Sequence, residues 1–449
     1  MAKSTSSSIR SDCPLRWAWG GGVLLVALLA SATPAFADAR VWEEEAEEGK
    51  APNRYLDLTA FAQPGYLFRI TSSDDERFAG RTDSTPWLQR ARLGMRAQIE
   101  PWLRFRTELE MAPTPVLQDA FFHIVLYDFL QFQLGQFQVP FLRAYQFNEL
   151  NLGFLDRPIY TPLSGERSFL RYLSPRDIGA MVLGFVGDTD TSSYEPVFEY
   201  RLSAALGRGA NAPRNNDNAL LYALRLQLHL FGLAEGEEAE SDIARNPYPK
   251  AAVGVAGYSN CDDRANWNRG FTLDGEFRWQ GLYASGAFVW FRNGETSSVG
   301  EALGYEKKFC GGSQDAAGNP LEFVSRGVHT QLQYLLPRQV FAVPGQDLEV
   351  LARFDWVDPN SPYDSGNPFF GGGQGDAGYS TPSNYDDSDN APTQYRLTFG
   401  LNWFPTGRQT LRLSMNYQHN REAEDIQTAE GFVVGITNDI LWFQLTAGI

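Results

Sequence analysis

From Arg90 to Met111 the chain alternates residue by residue between charged and apolar side chains, with one interruption at Glu100-Pro101. Arg90, Arg92, Arg96, Gln98 and Glu100 fall on one parity, and Ala91, Leu93, Met95, Ala97 and Ile99 on the other. A period of two is the mark of a β-strand with two unlike faces. After Pro101 the pattern resumes, with Leu103, Phe105, Thr107, Leu109 and Met111 against Arg104, Arg106, Glu108 and Glu110. Two adjacent strands therefore share an arginine-rich face, which needs water either outside a sandwich or inside a barrel.

The rest of the chain decides between these. Fourteen further stretches read as strands, at 55–70, 117–127, 130–134, 178–187, 198–206, 220–231, 251–258, 271–279, 282–292, 328–336, 348–357, 395–404, 411–418 and 439–449, making sixteen in all. Brief turns such as Asp128, Gln280-Gly281 and 405–408 tend to alternate with long polar loops at 293–321, 358–392 and 420–438, and no linker divides the chain. Short turns at one end, long loops at the other and an even strand number describe an outer-membrane barrel. Gly232 to Pro249 departs from the pattern, being long where a turn is expected. Aromatic residues near strand ends, among them Trp87, Trp102, Tyr127, Trp279, Tyr395, Phe404, Tyr417 and Trp442, suit interfacial girdles. An arginine facing lipid at mid-depth costs roughly 2–4 kcal/mol, so the charged faces must point inward. The expected fold is an all-β, transmembrane antiparallel barrel of about sixteen strands.

The ends agree with export. Lys3, Arg10 and Arg16 precede an apolar run from Val23 to Ala30 and the small-x-small sequence Ala35-Phe36-Ala37. Residues 1–37 read as a cleaved signal peptide, 38–54 as an acidic flexible leader and 55–449 as the barrel. Cleavage takes three basic groups and Asp12 from totals of 38 and 54, leaving 35 Lys plus Arg, 53 Asp plus Glu and a net charge of −18. Such acidity argues against nucleic acid as a partner. Cys261 and Cys310 remain in loop-like sequence of an exported chain, so a disulfide between them is open.

Three constellations could carry chemistry. Alternation turns Arg90, Arg92, Arg96, Arg104 and Arg106 inward beside Glu108, Glu110 and Asp119, joined elsewhere by Arg201, Arg225, Arg278, Arg353, Arg396 and Arg412. This set is either a basic track that draws anions or a lattice of ion pairs that stiffens the wall. The segment from Pro140 to Pro175 is long enough to fold back into the lumen as a constriction, carrying Arg143, Asp156, Arg157, Arg167 and Arg171, with Arg176 at its exit. The four histidines, His123, His229, His329 and His419, are scattered, and no Ser or Cys nucleophile elbow accompanies them, so no enzyme is expected. The acidic loop at Asp358, Asn360, Asp364, Asp386, Asp387 and Asp389 matches no defined calcium-loop spacing. Neither a metal nor a cofactor is implied.

Several blocks fall in a family's order. Arg90-Ala-Arg-Leu-Gly-Met, Leu117-Gln-Asp-Ala, Gly135-Gln-Phe-Gln-Val-Pro-Phe141, Phe154-Leu-Asp-Arg157, Arg176-Asp-Ile-Gly179, Gly400-Leu-Asn-Trp-Phe404 and Leu411-Arg-Leu-Ser-Met-Asn-Tyr417 resemble the phosphate-selective porin O and P family. The resemblance covers most of the mature chain. It implies a sixteen-stranded, homotrimeric outer-membrane channel, set among outer-membrane lipids, whose third external loop narrows the pore. Phosphate-selecting members present lysines from that loop, and here it has none. The expected function is passive diffusion of small polar or anionic solutes, with phosphate or oligophosphate as candidates. The alternative is a non-conducting barrel that presents its external loops for adhesion or partner binding.

Overall fold

A computed structural model describes residues 39–44, 53–72, 82–161 except 113, 173–261 except 213 and 216–218, 267–294, 322–337, 346–362, 394–422, 426–428, 431–433 and 437–448. The expected signal peptide and the residues Arg167, Arg171 and Cys310 lie outside this set.

Sixteen antiparallel strands close into one barrel. They are β2 (Tyr55–Ser72), β3 (Thr82–Glu100), β4 (Leu103–Glu110), β5 (Val116–Tyr127), β6 (Leu130–Gln138), β7 (Arg176–Val186), β8 (Val197–Ala205), β9 (Leu221–His229), β10 (Lys250–Cys261), β11 (Trp267–Trp279), β12 (Leu282–Gly294), β13 (Glu322–Leu335), β14 (Asp347–Pro362), β15 (Gln394–Phe404), β16 (Leu411–Glu422) and β19 (Thr437–Gly448). Each pairs with its sequence neighbour, and β19 pairs with β2 to close the ring. Closure leaves no barrel strand with an unpaired long edge, the condition for sheet structure in hydrocarbon. Two three-residue strands, β17 (Ile426–Thr428) and β18 (Gly431–Val433), pair only with each other.

The alternation read from the sequence is the alternation of the wall. One parity is apolar and exposed, as at Leu93, Leu202, Leu273 and Phe399. The other is polar and buried, as at Arg92, Asp119, Arg278, Asp355, Asn402 and Gln418. A barrel with this inside-out distribution presents apolar side chains to lipid and keeps its charges within. At the Gln280-Gly281 turn both residues have positive φ, 49° and 90°. That is the backbone of a tight turn whose twist matches the strands it joins.

Two expectations need correction. Ala39–Glu43, expected to be part of a flexible leader, is a strand, β1, paired with β2 at Tyr55–Leu58. Arg40 fixes it there through Asp57 at 2.8 Å, and also pairs with Glu43 at 2.9 Å. The aromatic girdle is also smaller than expected. Trp102, Tyr127 and Trp279 are exposed, but Phe404 is fully buried, and Trp87 and Trp442 meet edge to face at 5.3 Å. Trp87 stands opposite Gly65 and Trp442 opposite the buried Leu67, which puts both on the inner face.

Candidate lumen site

Glu149 sits at the centre of the charged inner wall. It opens a single 3-10 turn, Glu149–Asn151, capped by Asn148 Oδ1, which accepts from Leu150 N at 3.2 Å. Three arginines converge on its carboxylate: Arg157 at 3.0 Å, Arg90 at 3.3 Å and Arg92 at 3.6 Å. From Arg92 the pairs continue along the wall to Glu108 and Glu110, both at 2.7 Å. Arg106 joins Glu108 at 3.2 Å to Asp119 at 3.6 Å, and Arg176 closes on Asp119 at 2.8 Å. Eight of the residues singled out in the sequence thus meet in one network through Glu149.

A bulge makes this possible. Ala62 opposes Ala91 and Pro64 opposes Leu88, so Gln89 and Arg90 together face the single residue Gln63. An extra residue of this kind bends a strand and re-aims side chains. Arg90 reaches Glu149, while Gln89 donates to Leu155 O at 2.9 Å and Gln63 to Glu149 O at 3.4 Å.

The remaining inner wall holds the same segment, 139–161, from other strands. Asp156 accepts from Arg353 at 2.8 Å and Arg396 at 2.6 Å, and Arg353 also pairs with Asp355 at 2.8 Å. Arg412 donates to Leu152 O, and Asn402 to Gly153 O at 2.8 Å. The Tyr160 hydroxyl lies 2.6 Å from His329 Nδ1. On the far side Arg143 binds Glu276 at 2.7 Å and Gln227 at 3.1 Å, and Arg201 donates to Gln146 at 2.6 Å. Phe141, fully buried, packs on Tyr258 and Phe291 with ring centroids 4.8 and 5.8 Å away. The segment is therefore bonded to inner-face residues of β2, β3, β8, β9, β11 and β13 to β16. Its backbone groups, which no sheet satisfies, are met by wall side chains.

The overlong turn at 232–249 makes a second set of such contacts, missed in the sequence except as an anomaly of length. Glu240 N donates to Asn151 O at 2.8 Å and Gly153 N to Glu240 Oε2 at 3.3 Å, so it meets the first segment directly. Ser241 donates to Glu349 at 2.6 Å, Arg245 to Asp347 at 2.8 Å, and Arg278 to Ser241 O at 2.8 Å. Glu199, His229 and Glu237 gather donor atoms within 4.8 Å of one another. Arg201 at 2.5 Å from Glu199 and Arg143 at 3.5 Å from Glu237 already compensate both carboxylates, so the group reads as an ion-pair cluster.

Arg96 and Arg104 lie farther along the same wall. Both are exposed on the inner parity of β3 and β4, where Arg96 opposes Arg106 and Arg104 opposes His123. Arg106 keeps 31% of its side chain exposed and Arg201 25%, while Glu108, Asp119 and Glu199 are buried. Cys261 is disulfide-bonded; its expected partner Cys310 is outside the described residues.

The two inserted segments respond oppositely to pH. Burial alone would raise the carboxyls of Glu149 and Asp156, but the arginines around each hold both below the usual carboxylate range. Attachment through a depressed carboxyl is present above its ordinary pKa, about 4, and is lost only as pH falls through the depressed value. Burial raises Glu237 and Glu240 despite nearby cations, so insertion of 232–249 becomes more favourable as pH falls through their raised values. Acidification from about pH 7 to about 5 is expected to leave conductance level or lower it. A rise in planar-bilayer conductance over that range would contradict this assignment.

No protein-family model and no characterised protein matches the chain by sequence. Solved structures match it by fold. The anion-selective porin of Comamonas acidovorans superposes with a TM-score of 0.50 at 8% identity, covering 88% of this chain and 100% of that one. OmpF of Salmonella typhi, in complex with daunomycin, gives 0.48 at 9% identity, covering 88% and 98%. The outer-membrane channel DcaP of Acinetobacter baumannii gives 0.45 at 12%, also covering 88% and 98%. The first of these carries the fold: a closed, sixteen-stranded barrel of the outer-membrane type.

Proposed function

We propose that this protein is an outer-membrane porin through which small polar and anionic solutes diffuse passively, along the strip of wall on β3 to β5 that segment 139–161 leaves uncovered. The observation that carries the reading is the imbalance of exposure on that strip. Arg96 and Arg104 are exposed, while the acids of the same wall, Glu108, Glu110 and Asp119, are buried in pairs with Arg92, Arg106 and Arg176. Buried paired carboxylates contribute little field to passing ions, whereas exposed guanidiniums attract anions and exclude cations. Phosphate and oligophosphate belong to this solute class. The reading includes export by a cleaved signal at residues 1–37, seating among outer-membrane lipids and assembly as a homotrimer.

Reversal potentials across planar bilayers under a salt gradient test it. The wild-type barrel should prefer anions, and replacing Arg96 and Arg104 together with glutamine should move selectivity toward cations severalfold. Cation preference in the wild type would end the anion reading. A second reading, a closed barrel that serves through its external loops, is favoured by the meeting of segments 139–161 and 232–249 at Asn151, Gly153 and Glu240. Absence of any conductance would select it.

A further inference from the structure

Beside the uncovered arginines, the inner face of β5 departs from the polar lining of the wall. Phe121 and Val125 share the parity of Asp119 and His123, where β4 and β6 carry charged and amide side chains. The register sets this face in two lateral rows. One runs Arg96, Arg106, Phe121, Gly135, Gly179, each opposite the next on the neighbouring strand. The row nearer the short turns runs Gln98, Arg104, His123, Gln133, Met181 in the same way. Cations therefore occupy β3 and β4, and one strand spacing farther, about 4.8 Å, an aromatic ring opens a stretch without side chains on β6 and β7. A Cβ on Gly135 would lie 2.2 Å from Ala120 O, and one on Gly179 2.2 Å from Ala204 O, so both positions stay bare by necessity.

Two features distinguish this strip from ordinary lining. Among the described residues Arg104 is exposed and makes neither an ion pair nor a hydrogen bond, whereas Arg92, Arg106, Arg176 and Arg201 are each held by a carboxylate. Phe121 packs at one edge on the buried Phe137, Met181 and Leu183, yet it stays partly exposed, as does Val125. Apolar surface left open toward water gains by being covered. His123, between them, is fixed: its Nε2 lies 2.8 Å from Gln131 Oε1, and Gln131 Nε2 donates to Asp128 O at 3.0 Å. An unpaired guanidinium next to an open aromatic face matches a solute with its charge at one end and its apolar surface at the other. The guanidinium takes a carboxylate through two parallel hydrogen bonds, and a planar ring packs on the phenyl group. A small inorganic anion uses only the first of these contacts.

We propose that this strip is a binding site for aromatic carboxylates, with the carboxylate on Arg104 and the ring against Phe121 and Val125, beside Gly135. The inference names a solute class for the anion path and rests on that reading of the barrel.

Isothermal titration of the full barrel in detergent tests this, with benzoate and acetate as probes. Benzoate should bind about tenfold more tightly than acetate, the difference being the buried ring. Arg104→Gln should weaken both probes about tenfold, and Phe121→Ala should weaken benzoate about tenfold, which removes its advantage. Val125→Thr, a smaller change in case Phe121→Ala does not close, should cut that advantage about threefold. The heat-dependent gel mobility of a folded barrel identifies the variants that close. Equal binding of the two probes to the wild type overturns the proposal, as does an undiminished advantage of benzoate in the closed variants. Reversal potentials read the underlying claim separately. Anion preference with equal binding of the probes removes the site alone, whereas tenfold tighter benzoate binding in a barrel that prefers cations or does not conduct upholds the site and removes the anion path.

Discussion

Replacing Glu149 with alanine should release segment 139–161 from the wall. Arg90, Arg92 and Arg157 all converge on that one carboxylate, and Glu149 itself is buried. Removing one member of a buried charge cluster costs about 3–5 kcal/mol, because the partners remain buried without compensation. Arg92 keeps Glu108 and Glu110, but among the described residues Arg90 and Arg157 lose their only ion-pair partner. The expected results are a rise in single-channel conductance with larger fluctuations, and faster protease cleavage between residues 139 and 161. Glu149→Gln should do the same with smaller amplitude, since the amide still accepts a hydrogen bond from a guanidinium. Unchanged conductance in both variants would show that the segment does not limit flow.

Replacing residues 233–248 with a two-residue Asn-Gly turn should raise conductance about twofold or more, since a sixteen-stranded barrel is wide enough for an aqueous channel once its fillings are withdrawn. The barrel itself should still close, because β9 and β10 pair through eight register positions from Tyr222–Ser259 to His229–Ala252 independently of that turn. Glu349 and Asp347 would lose Ser241 and Arg245 but gain water in exchange. A conductance equal to the wild type would mean that 232–249 packs outside the conducting path.

The strands were legible because a lipid-facing wall enforces period two over almost every residue, and all sixteen lie where alternation puts them. The inner-wall arginines were legible by the same rule. Their partners were not. Segment 139–161 has no periodic backbone, so nothing in the sequence distinguishes Glu149 from its neighbours until the fold brings Arg90 and Arg92 of β3 and the segment's own Arg157 to it. Arg90 shows the limit of parity: it points inward together with Gln89 because of a bulge, and on the far side of that bulge the parity reverses, which is why Trp87 turns inward instead of joining a girdle. Whether an inward arginine is exposed, as Arg104 is, or buried, as Arg92 is, depends on where the inserted segments land. The turn at 232–249 signalled itself only by being too long, and its role came from contacts distant in sequence.

The strand β1 has a consequence for assembly. It runs beside β2 in the same direction as β19, taking up the edge of β2 at Leu58 where β19 stops at Phe61. Because β1 and β2 are close in sequence, they form a local hairpin-like pair that is available long before the last strand arrives, whereas the pairing of β19 with β2 joins the two ends of the barrel and is slow to find. When β19 docks, Ala39 already occupies part of its lane, and a slide of more than two positions would drive Gly448 into it. The short strand thus stands in the way of a slide of the closing seam in that direction, a slide that would change the stagger and the diameter of the ring.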